Sequence, residues 1–183
     1  MKINTRKIAF AGVVAALYAV LTIVIMPLSY GPVQLRISEV LCILPFFFPF
    51  SVWGLFIGCI VANIISPYGF LDLLFGSLAS LLAAVSTMYI GRMPGRDKIS
   101  IKAFACFPPV IFNAIIIGAL IAYFMLSDGS ADTFLPAFIS SGLWVGLGQL
   151  VVLYVLGLPL MIYLPKTKVI DKLDNLYNGG ETQ

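Results

Sequence analysis

Long apolar runs separated by short polar stretches make up most of this chain. The runs over 8–26, 71–91 and 101–126 each approach or exceed the ~20 residues an α-helix needs to cross a bilayer core. A fourth, 134–164, holds one crossing with length to spare and carries Pro136 and Pro159 near its ends. The stretch 37–66 is ambiguous: thirty residues with a single charge, Glu39. As one helix it would be about 45 Å long, well beyond a ~30 Å hydrocarbon layer. As two, it divides into short spans over 37–49 and 51–66, meeting at an aromatic turn that runs from Pro45 to Phe50. Prolines at such a turn suit a broken or re-entrant helix buried against protein.

Charge decides between one helix and two. Ten of the eleven Lys and Arg residues fall in three clusters: Lys2, Arg6 and Lys7; Arg92, Arg96, Lys98 and Lys102; Lys166, Lys168 and Lys172. Only Arg36 lies elsewhere. Positive clusters stay on the cytoplasmic side of a membrane. A single crossing over 37–66 would strand the middle cluster on the far side, whereas two crossings bring all three together. The expectation is therefore an all-α integral membrane protein with six transmembrane helices in one domain, 1–165. Both termini are cytoplasmic, and a polar, frayed tail follows over 166–183. The first apolar run has 19 residues, longer than the 7–15 of a signal-peptide core, so it reads as a retained first helix.

Composition narrows the function. Only 10% of residues are charged and 61% are hydrophobic, against roughly 25% charged in soluble domains. The chain has no His, which excludes His triads, HExxH metal sites and His proton relays. Cys42, Cys59 and Cys106 sit in apolar runs without CxxC spacing and read as core residues, not disulfides or metal ligands. The basic residues lack an interleaved aromatic platform for nucleic acid. Gly91, Gly95 and Lys98 lack P-loop spacing. No catalytic constellation, metal or cofactor is expected, so any energy source lies on another chain.

In the six-helix arrangement the polar residues within the spans gather at mid-depth or toward the outer side. They are Gln34, Arg36, Ser38 and Glu39, then Asn63 and Ser66, then Asp72, then Asn113, then Trp144 and Gln149. Intramembrane polar groups are costly and mark sites, so their one-sided depth points to a ligand cavity open to the outside. Each has an ordinary structural explanation as well. Arg36 and Glu39, three apart, form an interfacial ion pair. Asp72 complements a helix N-terminus, Asn113 and Gln149 bond neighbouring helices, and Trp144 joins an aromatic belt. On the first helix, Ala11, Ala15 and Ala19, with Gly12 and Ala16 alongside, make a smooth strip for close helix approach, either within the bundle or by a partner.

Several stretches resemble the QueT family, the substrate-binding S-components of energy-coupling factor (ECF) transporters for queuosine precursors. The resemblance rests on Tyr30-Gly31-Pro32-Val33-Gln34-Leu35-Arg36-Ile37-Ser38-Glu39 followed by Leu44-Pro45, and on Ala62-Asn63 and Ser66-Pro67-Tyr68-Gly69 with Asp72. It runs from about Lys7 to Pro165. It implies six helices, capture of a micronutrient from outside a bacterial cytoplasmic membrane, and docking on a membrane T-component driven by two ATPase subunits that hydrolyse ATP. It also implies that Ala11, Ala15 and Ala19 form the T-component docking strip, and that the S-component topples to deliver its cargo.

The implied substrate is a deazapurine: a 7-deazaguanine in its aminomethyl or cyano form, or queuine. The adjacent N–H donors of a guanine-like edge suit a carboxylate, Glu39 first and Asp72 second. The ring oxygen needs a donor, for which Asn63, Asn113, Gln149 and Arg36 are available. Trp144, Tyr68 and Phe70 offer flat faces. An S-component for another vitamin or nucleobase, and a stand-alone carrier, stay open as alternatives.

Overall fold

A computed structural model describes residues 4–29 and 35–178; Gln34 lies outside the described residues. The described residues are almost entirely helical. In order they form α1 (Thr5–Val24), α2 (Met26–Ser29), a 3₁₀ segment (Ile37–Ile43), α3 (Leu44–Phe47), α4 (Ser51–Asn63), α5 (Gly69–Ile90) and α6 (Ile99–Ala105). Next come α7 (Phe107–Ser127), α8 (Phe134–Val151), a π-helical segment (Val152–Gly157), α9 (Leu158–Tyr163), a short 3₁₀ turn (Leu164–Lys166) and α10 (Lys168–Asn178). Four continuous stretches are long and apolar enough to cross a membrane: Thr5–Val24, Gly69–Ile90, Ile99–Ser127 and Phe134–Lys166. Two shorter apolar helices, Ile37–Phe47 and Ser51–Asn63, account for the ambiguous stretch.

That stretch folds back on itself. Arg36, at the start of the 3₁₀ segment, and Asn63, at the end of α4, both reach Asp72 at the start of α5. The two short segments therefore run in opposite directions, and the chain reverses at Phe48–Phe50. Pro45 falls at the start of α3, where its missing N–H costs nothing, and Pro49 lies in the turn. The aromatic turn is buried: Phe10 and Phe48 pack with ring centroids 5.1 Å apart, and Tyr177 of α10 closes on both at 5.4 Å.

Close helix approach is set by glycine. A Cβ on Gly54 would lie 2.5 Å from the Ala11 carbonyl oxygen, and one on Gly58 would lie 2.7 Å from that of Ala15. Thus α1 and α4 touch backbone to backbone. The same device joins α7 to α8, where a Cβ on Gly118 would lie 2.7 Å from the Cα of Gly142. α5 packs against both α4 and α7.

Ala11, Ala15 and Ala19 are less exposed than a docking strip was expected to be: all three are buried, and the backbones of Ala11 and Ala15 meet Gly54 and Gly58 of α4. The face of α1 that stays open carries Ala9, Gly12 and Ala16, and a Cβ on Gly12 would meet nothing within 4 Å. The tail also departs from expectation. Lys168–Asn178 is an amphipathic helix held by Tyr177, whose hydroxyl accepts the Phe50 N–H at 3.1 Å and whose ring lies under the Lys7 ammonium. Burial raises the pKa of the Tyr177 phenol, keeping it neutral at physiological pH.

The bundle has two unlike ends. Lys7, Phe48–Phe50, Gly91 against Phe46, Arg96 over the Phe46 ring and α10 share one end, which holds the described residues of the three basic clusters. Arg36, Asn63, Ser66, Asp72 and the Tyr68–Phe124 ring pair share the other. Around the sides, Val13, Val24, Leu135 and Val155 are each more than half exposed, the apolar girdle that lipid covers.

The glycine positions yield a paired prediction. Gly58→Leu forces a side chain into the Ala15 backbone and should lower the melting temperature of the detergent-purified protein, equivalent to about 1–3 kcal/mol or more. Gly12→Leu meets open space and should leave that melting temperature within a degree or two of the parent's. Thermal unfolding followed by intrinsic fluorescence checks both.

Candidate functional site: a buried polar cluster at one end of the bundle

The cluster begins with a change of backbone. Arg36 is extended (φ −84°, ψ 99°) and caps the 3₁₀ segment that follows. Its side chain therefore does not follow helical spacing. The guanidinium meets Asp72, with Nη2 to Oδ2 at 3.3 Å, while Nε donates to the Ser29 carbonyl at 3.3 Å. Arg36 is 1% exposed and Asp72 fully buried. The pairing of Arg36 with Glu39 read from spacing is thus replaced by one with Asp72.

Asp72 sits in the first turn of α5, where the helix dipole favours a carboxylate. Gly69, with φ +62°, makes the turn that aims it. Ser66 donates to Asp72 Oδ2 at 2.5 Å, and the Asn63 amide donates to the Asp72 carbonyl at 3.0 Å. Gly76 leaves room for this arrangement, since a Cβ there would lie 2.5 Å from Asn63 Nδ2 and 2.7 Å from Asp72 Oδ1. Asp72 Oδ1 is buried and accepts no hydrogen bond among the described residues.

Glu39 is also fully buried, and helix α1 orients it. Tyr18 donates its hydroxyl to Oε1 at 2.6 Å, and the Cys42 thiol donates to Oε2 at 3.0 Å. Each oxygen keeps a further lone pair for another donor. One turn along α1, Thr22 donates to the Tyr18 carbonyl and is 2.7 Å from the Ser38 hydroxyl. The cluster thus joins α1, the 3₁₀ segment, the end of α4 and the start of α5.

The other residues singled out in the sequence divide. Gln149 on α8 is buried with its side-chain oxygen unpartnered. Asn113 is buried but donates at 2.9 Å to the Pro109 carbonyl, a bond within its own helix. Tyr68 is half-buried against Phe124, with centroids 5.3 Å apart. Trp144 and Phe70 are 55% and 73% exposed and face outward, away from the cluster. Ser38 joins the cluster as its place beside Glu39 suggested, while Tyr18, Thr22 and Cys42 belong to it and were missed. The readable signal was Tyr18 and Thr22, two hydrogen-bonding side chains four apart in an otherwise apolar helix. Among the described residues, no group of His, Cys, Asp or Glu has the arrangement of a metal site.

Fold and cluster together define a polytopic helical membrane protein with a charged, hydrogen-bonded site sealed into one end. A sequence model described as "QueT transporter" matches residues 8–166, so the chain belongs to the QueT transporter family. It is 36% identical over 83 residues to a protein named "Queuosine precursor transporter QueT" from Lactococcus lactis subsp. cremoris (strain MG1363). That match covers 44% of this chain and 48% of the relative, so it spans about half of the relative's length. No solved structure matches significantly.

Removing the Tyr18 hydroxyl leaves a buried carboxylate short of one donor. Tyr18→Phe should therefore destabilise the protein by ~1.5–3 kcal/mol, the range for a hydrogen bond to a charged group. Chemical or thermal unfolding in detergent reads it, and Tyr89→Phe, at an exposed tyrosine of the basic end, serves as the control.

Proposed function

We propose that this chain is the substrate-capturing S-component of an ECF-type importer, taking up a queuosine precursor of the 7-deazaguanine class. The observation that carries the reading is the separation of the two ends: the described residues of the three basic clusters at one, the buried Arg36, Glu39 and Asp72 at the other. Basic residues stay in the cytoplasm, so the polar cluster faces outside, where a nutrient arrives. Six crossings follow from this orientation, with the Ile37–Phe47 and Ser51–Asn63 segments as two short spans turning at Phe48–Phe50.

In this reading Glu39, held by Tyr18 and Cys42, receives the paired N–H donors of the base on its remaining lone pairs. Asn63 and Arg36 stand beside Asp72 to serve the ring oxygen, with Tyr68 at the mouth and Gln149 and Asn113 on the facing helices. Trp144, exposed on α8, takes no part unless α8 turns. ATP hydrolysis belongs to partner ATPases, and the T-component meets the open face of α1 at Ala9, Gly12 and Ala16 instead of the buried alanines.

Two measurements test this. Calorimetry on the purified protein should show tight binding of 7-deazaguanines and no binding of thiamine, and Glu39→Gln should weaken it about a hundredfold or more. Unchanged affinity in a folded Glu39→Gln protein would remove Glu39 from the site. In cells co-producing the T-component and ATPases, Gly12→Leu should abolish precursor uptake although the purified variant still binds. Uptake that proceeds without any ATPase subunit would instead make the chain a stand-alone carrier.

A further inference from the structure

The charges at the polar end do not balance. Inside it, one formal positive charge, Arg36, meets two formal negative charges, Glu39 and Asp72, all three essentially buried. The segment 30–34, Tyr-Gly-Pro-Val-Gln, contributes no charged side chain. Buried charge is stable only when compensated, and a missing partner costs several kcal/mol. The guanidinium is engaged with Asp72 Oδ2 and the Ser29 carbonyl. Glu39 is met by a phenol and a thiol, which share hydrogen bonds but bring no positive charge. By formal charge one carboxylate is left over, and one carboxylate oxygen, Asp72 Oδ1, has no donor among the described residues.

The surroundings carry the same sign. The loop between α7 and α8 adds Asp128 and Asp132, both exposed. Among the described residues the polar end therefore has one basic residue against four acidic ones, while the other Lys and Arg lie in the clusters of the opposite end. The Ser130 hydroxyl and its N–H hold the Asp128 carboxyl below the ordinary carboxylate range, so it stays charged at physiological pH. Such a field gathers cations at the mouth and repels anions.

Resting on the reading of this cluster as a deazapurine site, we propose that it selects a cationic ligand. A primary ammonium on the substrate seats against Asp72 Oδ1 and supplies the missing positive charge, while the base engages Glu39. The site then discriminates by charge among precursors that share one ring: an aminomethyl-bearing base binds, and neutral forms of the same base bind weakly. Asp72 is the specificity-determining residue and Arg36 its positioning partner, holding Oδ2 so that Oδ1 faces the ligand.

The test compares two ligands of the same shape and different charge, 7-aminomethyl- and 7-hydroxymethyl-7-deazaguanine, by calorimetry on the full chain in detergent at neutral pH. The aminomethyl compound is expected to bind about thirtyfold or more tightly, the size of a charge-assisted contact. A ratio under about tenfold, with both compounds bound, overturns the charge selection and leaves the deazapurine reading standing. Binding of neither compound overturns both. In Asp72→Asn the ratio should collapse below about tenfold; a ratio that survives in folded protein removes Asp72 as the seat. Should that variant aggregate, Arg36→Gln/Asp72→Asn removes both members of the ion pair together, leaves no lone guanidinium behind, and answers the same question.

Discussion

The buried Arg36–Asp72 ion pair is the constraint around which this end of the molecule is arranged. A guanidinium and a carboxylate out of water are tolerated only where geometry and further hydrogen bonds offset the loss of hydration. The chain meets that demand with parts from four segments: the Ser29 carbonyl, the extended Arg36, Asn63 at the end of α4 with Ser66 just beyond it, and the first turn of α5, where Gly69 makes the turn and Gly76 clears space. Sequence-distant helices are thereby pinned at one level. The neighbouring Glu39 is brought in by α1 through Tyr18, so the packing of α1 on α4 and the shape of the polar site are one problem.

The opposite end is held by other means. Phe10, Phe48 and Tyr177 pack ring against ring, and the Phe50 N–H, left free by the turn, is satisfied by a phenol from α10. An open backbone donor at a helix break is costly in an apolar setting, and a docked tail helix removes that cost with a single side chain. Lys7 and Arg96 lie over aromatic faces there, so cationic side chains meet water while their stems cover rings.

Much of this was legible in the sequence, because hydropathy and charge act over whole segments. The four long spans, the reversal inside 37–66 and the gathering of basic residues at one end follow from run length and cluster spacing. The site was legible in part. Asp72, Glu39, Asn63 and Arg36 do come together, but the partner of Arg36 was misread because helical spacing was applied to a residue whose backbone is extended. The alanine pattern of α1 announced a close approach without saying to what. Its complement, Gly54 and Gly58, four apart on α4, lay in the same sequence and was the better guide. Trp144 was placed by depth alone, and depth does not tell which way a side chain faces around a helix. The tail helix was missed because its apolar residues are few, and its anchoring rests on one buried tyrosine.

The close backbone approaches at Gly54, Gly58 and Gly118 have a mechanical meaning. Backbones in direct touch cannot slide without separating along their whole length, whereas surfaces of interlocking side chains can shift by small rotamer changes. The α1–α4 pair and the α7–α8 pair are each locked in this way, and α5 packs between them against α4 and α7. Asp72 is on that intermediate helix, while Tyr18 and Asn63 belong to the first pair and Gln149 to the second. The buried polar groups of this end are thus shared out among two locked helix pairs and the helix between them.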